Sequence, residues 1–178
     1  LAGSGNLCAY CHQTRRATAM YGSGDSVNVS STHWGGHHGP QGNILAGNGA
    51  YEVMGSMEIG NTSHTTLAGC SDCHMVKNMD NTDMGGHTWM MSTEDGTENI
   101  MACTGCHAGA TSFDVAGLQT EIHEMLAELH GMLVEYGLYT EESMHEGGHP
   151  TTSGDLGRKH TEQEAGAVFN YILFEEDR

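Results

Sequence analysis

The chain has 178 residues and 19.0 kDa, with 6 Lys+Arg against 23 Asp+Glu, a formal net charge of −17 at pH 7. So acidic a chain cannot neutralise a run of phosphates and is repelled by anionic lipid, which excludes nucleic-acid binding, and no apolar run reaches the length of a membrane span. Only 37% of residues are hydrophobic and 6% aromatic, and Gly numbers 26, roughly twice its usual share of about 7%, so side chains alone are sparse for a core, while 6 Cys, 13 His and 12 Met are not a disordered composition and point to a cofactor.

In chain order, the first feature is Cys8-Ala9-Tyr10-Cys11-His12, with Arg15 and Arg16 close behind. Turns are expected at Gly22-Ser23-Gly24 and Gly47-Asn48-Gly49, on either side of the loop Thr32-His33-Trp34-Gly35-Gly36-His37-His38-Gly39-Pro40-Gln41. Ser63-His64-Thr65 precedes Cys70-Ser71-Asp72-Cys73-His74; Gly85-Gly86-His87-Thr88 precedes Cys103-Thr104-Gly105-Cys106-His107. Asn28 and Asn61 begin Asn-x-Ser/Thr glycosylation acceptors. Residues 120–136 predict a helix, with Ile122, Met125, Leu126, Leu129, Met132, Leu133 and Tyr136 on one apolar face, ended by Gly137. His123 and His130 fall on the border of that face. Thr161-Glu162-Gln163-Glu164 reads as a capping box opening a second helix, with Ala165, Val168, Phe169, Ile172 and Leu173 on one side. Two regions of a single domain follow: a loop-rich 1–119 with short helical turns, and a helical 120–178 packing on it.

All six cysteines belong to three Cys-x-x-Cys pairs, each followed at once by His. This is the c-type haem attachment pattern: two thioethers anchor the porphyrin from one turn of chain, and the adjacent His becomes an axial ligand of the iron. A zinc ribbon would use pairs of pairs and leave one over, and neither zinc, a redox dithiol nor disulfides explain the histidines. With 13 His in 178 residues, chance places His after all three pairs with a probability of about 0.0004. The reading is therefore three covalent haems c, held by Cys8, Cys11, Cys70, Cys73, Cys103 and Cys106, with His12, His74 and His107 as proximal ligands. The haems stand in for a side-chain core, so the fold is expected to be mainly irregular with a few α-helices packed around them and little or no β-sheet. Arg15 and Arg16 are candidate propionate partners.

Three proximal residues leave ten of the 13 His for the opposite iron faces. His/His ligation gives a low-potential carrier, Met ligation a higher potential, and an open face would permit chemistry. The surplus of His favours two imidazoles per iron over Met, which also serves as an adaptable filler. The Gly- and Ser/Thr-flanked loops make His33, His38, His64 and His87 the distal candidates, with His37, His123 and His130 in reserve. His145, His149 and His160, in a polar Gly-rich stretch, are weaker.

The first motif with its two arginines, His-His-Gly-Pro-Gln-Gly, Ser-His-Thr before Cys-x-x-Cys-His-Met, Gly-Gly-His-Thr, Ala-Cys-Thr-Gly-Cys-His and the late Gly-Ala-Val-Phe-Asn-Tyr resemble, in that order, the extracytoplasmic multihaem c-type cytochromes. The likeness spans the whole chain and lies nearest to subunits of cell-surface cytochrome filaments of metal-reducing bacteria and of archaea. It implies axial histidines drawn from His33, His38, His64 and His87, electron transfer through three bis-His haems to or from external acceptors or redox partner proteins, and an extracellular location, with the periplasm as the alternative. It also implies head-to-tail polymerisation with copies of the same chain, one distal histidine, His33 or His38 first, crossing to a neighbour. Such relatives commonly carry a further motif upstream and extend past the position of Arg178, so the chain reads either as part of a longer polypeptide or as a three-haem version. Rival readings are a nitrite- or hydroxylamine-type multihaem reductase with one open haem, and a soluble monomeric periplasmic carrier. The absence of a Cys-x-x-Cys-Lys variant and the scarcity of Lys weigh against the reductase.

Overall fold

The computed structural model describes residues 3, 5–15, 26–28, 34–52, 60, 62–139, 159–175 and 177. Arg16, the turn at 22–24, His33, Asn61, His145 and His149 lie outside the described residues. Among the described residues seven α-helices follow in order: α1 (Gly5–Ala9), α2 (Gln41–Ala46), α3 (Ser63–Leu67), α4 (Cys70–His74), α5 (Met101–Thr104), α6 (Leu118–Glu135) and α7 (Glu162–Glu175). Two short strands, β1 (Val27–Asn28) and β2 (Lys159–His160), pair antiparallel with Val27 opposite His160. Roughly half of the described residues are helical and the rest are turns and loops, the helix-plus-loop architecture that the composition predicts.

The side-chain core is concentrated around α7. Ala165, Val168, Phe169, Ile172 and Leu173, the predicted apolar side, are all buried, together with Tyr171. One part of this face meets Leu126 and Leu133 on α6 and Leu138 and Tyr139 just after it; the other meets Val27, Ala50, Ile44 and Tyr51. Trp34 touches both clusters and donates its indole N–H to Ala165 O at 3.4 Å. Tyr51 packs so closely over Gly166 that a Cβ there would overlap its ring. A reciprocal pair locks this approach, Tyr51 N–H to Asn170 Oδ1 at 2.7 Å and Asn170 Nδ2 to Tyr51 O at 2.8 Å. The capping box forms as expected, with Thr161 N–H donating to Glu164 Oε2 (2.8 Å) and Glu164 N–H to Thr161 Oγ1 (3.2 Å).

Helix α6 begins two residues earlier than the periodicity predicts, because Asp114 collects the free N–H groups of Gln119 (2.8 Å) and Thr120 (3.2 Å). At its other end Gly137, at φ 68°, takes the left-handed conformation, with Leu138 N–H bonded to Leu133 O at 2.8 Å and Gly137 N–H to Val134 O at 2.9 Å. This is a Schellman ending, and Leu133 and Leu138 share one apolar cluster beneath it. The apolar face read from the sequence needs correction. Leu126 and Leu133 are buried and Leu129 packs against the core, but Ile122, Met125, Met132 and Tyr136 are exposed. Helix α7 covers only one flank of α6, whereas periodicity groups all the apolar positions together.

The motif-bearing region is built differently. Among the described residues between 60 and 117, Met84 is the sole buried hydrophobic side chain, while Leu67, Met79, Trp89, Met90 and Met101 are exposed. Leu7 and Tyr10, on and beside α1, are exposed as well.

Candidate haem-attachment site

Each motif occupies one helical turn. In the first, His12 N–H donates to Cys8 O at 2.9 Å and Cys11 N–H to Cys8 O at 3.0 Å; in the third, His107 N–H donates to Cys103 O at 2.8 Å and Cys106 N–H to Cys103 O at 3.1 Å. The second motif is α4 itself, opened by Asp72, whose carboxylate accepts the Gly69 N–H at 2.7 Å. The two-residue gap thus puts both thiols and the imidazole on one short segment.

Tertiary packing sets the three turns side by side, α1 against α4 and α4 against α5. All six cysteines are free thiols. Cys70 Sγ lies 3.8 Å from Gly5 O and beside the Cys8 thiol. Burial pushes the Cys70 thiol above its ordinary pKa, and neighbouring Cys8 adds to this. Burial also raises Cys73, helped by Cys103, and raises Cys103, helped by Glu98.

Two of the motif histidines are held through Nδ1, which leaves Nε2 as the free donor. His12 Nδ1 meets Gln41 Oε1 at 3.0 Å, and His74 Nδ1 meets Trp89 O at 2.8 Å. A carbonyl partner on one ring nitrogen fixes the tautomer and orientation of a metal-binding imidazole through the other. This donor set of six unpaired thiols, three adjacent imidazoles and surrounding exposed apolar side chains fits a large apolar group attached at each turn.

The distal candidates that are described fall next to motifs. The loop bearing His37 and His38 is pinned by Trp34 to α7 and runs onto the first motif: His37 N–H donates to Thr14 O (2.8 Å), Thr14 N–H to Asn43 Oδ1 (2.9 Å) and Gly42 N–H to His12 O (2.9 Å). Both rings are exposed, edge to face at 5.8 Å. His87 lies in a single 3-10 turn, Gly86–Thr88, laid on the stretch after the second motif. Gly85, at φ 69°, touches that stretch so closely that a Cβ would strike Val76 O. Fully buried Asn99 clamps the same point, donating from Nδ2 to Val76 O at 2.8 Å and from its N–H to Met91 O at 2.7 Å. His64, on α3, brings its ring to 5.9 Å from that of His107, with the planes at 60°. Helix α3 is in turn tied to α2 by the Thr65 hydroxyl on Leu45 O at 2.6 Å.

The remaining candidates stand elsewhere. His130 is wedged between the rings of Tyr139 (5.4 Å) and Tyr171 (5.6 Å) in the C-terminal core, and His123 is exposed on α6. His160 is buried in β2. Arg15 is exposed next to the first motif at φ 51°, a left-handed conformation rare for a residue with a Cβ. The sequence reading missed Gln41, Trp89 and Asn99 as supports. Gln41 lies in the His-His-Gly-Pro-Gln run already singled out, but no local signal marks Asn99.

Among the described residues no three His, Cys, Asp or Glu side chains converge as a metal-ion site; axial ligation of a haem asks for two protein ligands per iron. Among the same residues no helix is long and apolar enough to cross a membrane. No protein-family model, curated protein or solved structure matches the chain.

Proposed function

We propose that the chain is an electron-transfer protein of the multihaem c type, carrying electrons along a row of three covalently attached haems. The observation that carries this reading is the packing of α1 against α4 and of α4 against α5, the helices on which the first and third Cys-x-x-Cys-His turns begin and the second lies entire. Bound there, each haem would supply a one-electron iron centre. The chain's own part is to hold and orient. The paired thiols anchor through thioethers, and His12 and His74 are steered by Gln41 and Trp89. Because α4 packs against both α1 and α5, the haem of the second motif would stand in the middle of the row.

His64 is the distal ligand we assign opposite His107. Its ring stands 5.9 Å from that of His107 with the planes at 60°, so His64 is the imidazole that would hold the third haem together with His107. His87 belongs by position to the second motif, and His37 or His38 to the first. Assembly of the chain with its own copies rests on the resemblance. An extracytoplasmic location, cell-surface or periplasmic, follows from the resemblance.

The test is expression with a c-type haem maturation system. Three haems per chain by intact mass and alkaline pyridine spectrum, with reversible reduction of all three, is the expected result. A chain that matures without covalent haem overturns the reading. A rapid spectral change of one haem with nitrite or hydroxylamine redirects it to the reductase class, and imaging of the purified protein distinguishes filaments from monomers.

A further inference from the structure

Helix α6 carries two apolar stripes, and among the described residues only one is buried by the fold. Leu126 and Leu133 face the core. The second stripe, Leu118, Ile122, Met125, Leu129, Met132 and Tyr136, advances by alternating steps of four and three residues, the spacing of a coiled-coil seam. Leu129 packs partly against the core, while Leu118, Met125 and Tyr136 are 58%, 61% and 69% exposed. Beside this seam, on the side away from Leu126 and Leu133, lie Glu121, Glu128 and Glu135, spaced one heptad apart, and α6 contains no Lys or Arg. In coiled-coil terms every position on the outer flank is acidic, and the inner flank is the folded body itself.

We infer that this seam is a docking surface for a helix of a different protein, apolar at alternating three- and four-residue steps and lined with Lys or Arg along the edge that meets the three glutamates. Charge complementarity selects this occupant. A second copy of α6 laid antiparallel on the seam would set the glutamate row against its own image and the two folded bodies against each other, and one laid parallel would run each glutamate row into the other copy's folded body. The chain's residues 140–158 contain Met144 and Leu156 as their only large apolar side chains, too few for a seam of six, and they add Glu141, Glu142, Glu146 and Asp155 to an already acidic edge. Anionic lipid is repelled by the same glutamates. A basic amphipathic helix buries the stripe and neutralises the row at once, and flanking charges of this kind set partner choice and orientation in paired helices. The inference does not depend on the haem reading.

The test titrates the intact protein as purified with a synthetic peptide of about three heptads, Leu at the seam positions and Lys on both flanks, against a scrambled peptide of identical composition. The patterned peptide is expected to bind at least tenfold more tightly and to protect the amides of residues 118–136 from exchange. The double variant Met125→Ala/Met132→Ala, altered only at exposed positions, should lose about tenfold of that affinity. The triple variant Glu121→Lys/Glu128→Lys/Glu135→Lys should transfer the preference to a peptide with Glu flanks. Equal binding of patterned and scrambled peptides, protection located elsewhere, or indifference to both variants overturns the inference. So does an α6 already protected in the protein alone: concentration-dependent protection would show a second copy on the seam, and concentration-independent protection the chain's own 140–158.

Discussion

The imidazoles of His64 and His107, one on α3 and one at the end of the third motif, stand with ring centres 5.9 Å apart and planes crossing at 60°. Neither residue is near the other in sequence; α3 reaches this position because it is strapped to α2 through Thr65 and Leu45. If the pair shares one iron, His64→Ala should leave that iron five-coordinate and the other two unchanged. The expected readout is a high-spin ferric signal from about one third of the iron in electron paramagnetic resonance, with carbon monoxide binding to the same fraction after reduction. A fully low-spin spectrum in the variant would remove His64 from the ligand set.

The His12–Gln41 contact makes a second prediction. A carbonyl accepting the Nδ1 proton makes the imidazole a stronger donor and favours ferric iron. Gln41→Ala is therefore expected to raise the potential of one haem, by on the order of 10–60 mV, where 59 mV marks a tenfold change for one electron. Spectroelectrochemistry at several wavelengths separates that haem from the other two.

The location of the core predicts which part of the chain needs the haems. Phe169, Leu173, Leu126 and Leu133 bury one another around α7, whereas the described residues between 60 and 117 bury Met84 alone among hydrophobic side chains. With all six cysteines changed to Ala, amides of α6 and α7 are expected to retain measurable protection while residues 62–113 exchange freely. Hydrogen exchange read by mass spectrometry checks this, and uniform loss of protection would place the haems inside the C-terminal core as well.

Gly166 has no room for a methyl group beneath Tyr51. Gly166→Ala should destabilise the C-terminal core by about 1–3 kcal/mol, the usual cost of overpacking, seen as a lowered thermal midpoint. Combining it with Tyr51→Ala should recover part of the loss, because the clash then has no partner.

Two carboxylates predict opposite pH dependence. Hydrogen bonding by the Thr120 hydroxyl holds Asp114 below its ordinary pKa, with the Thr120 and Gln119 N–H groups adding to this. Its contribution to the start of α6 is present above the unfolded carboxyl value and lost as pH falls through the folded one, so Asp114→Asn should fray residues 118–121 at pH 7 and make no difference at strongly acid pH. Asp177 is pushed up to about 6 by burial. Its ionisation costs stability above that value and nothing below the unfolded one. Asp177→Asn is expected to stabilise by about 1 kcal/mol at pH 7, allowing for partial solvent screening, and to be silent at pH 3. Exchange of the α6 amides and melting curves at the two pH values measure these effects.

Much of the local structure was legible in the sequence because it depends on near neighbours. A Cys-x-x-Cys-His spacing is one helical turn, a Thr-x-x-Glu pair closes its own capping box at 161–164, and Gly137 accepts the left-handed conformation that ends α6. The buried side of α7 was legible too, since an amphipathic pattern that is covered on its whole apolar face reports burial directly.

Tertiary structure alone decided the remainder. The order in which α1, α4 and α5 lie against one another, the meeting of His64 with His107, and the clamp of Asn99 on Val76 all join residues far apart in the chain, and no local periodicity encodes such distances. The same holds for α6. Its sequence states that Ile122, Leu126, Leu129 and Leu133 share a face, but not how wide a neighbour will be laid on it. Because α7 covers only the flank of Leu126 and Leu133, half of an ordinary-looking amphipathic helix is left as surface. Periodicity reports which residues point the same way, and only packing determines what they point at.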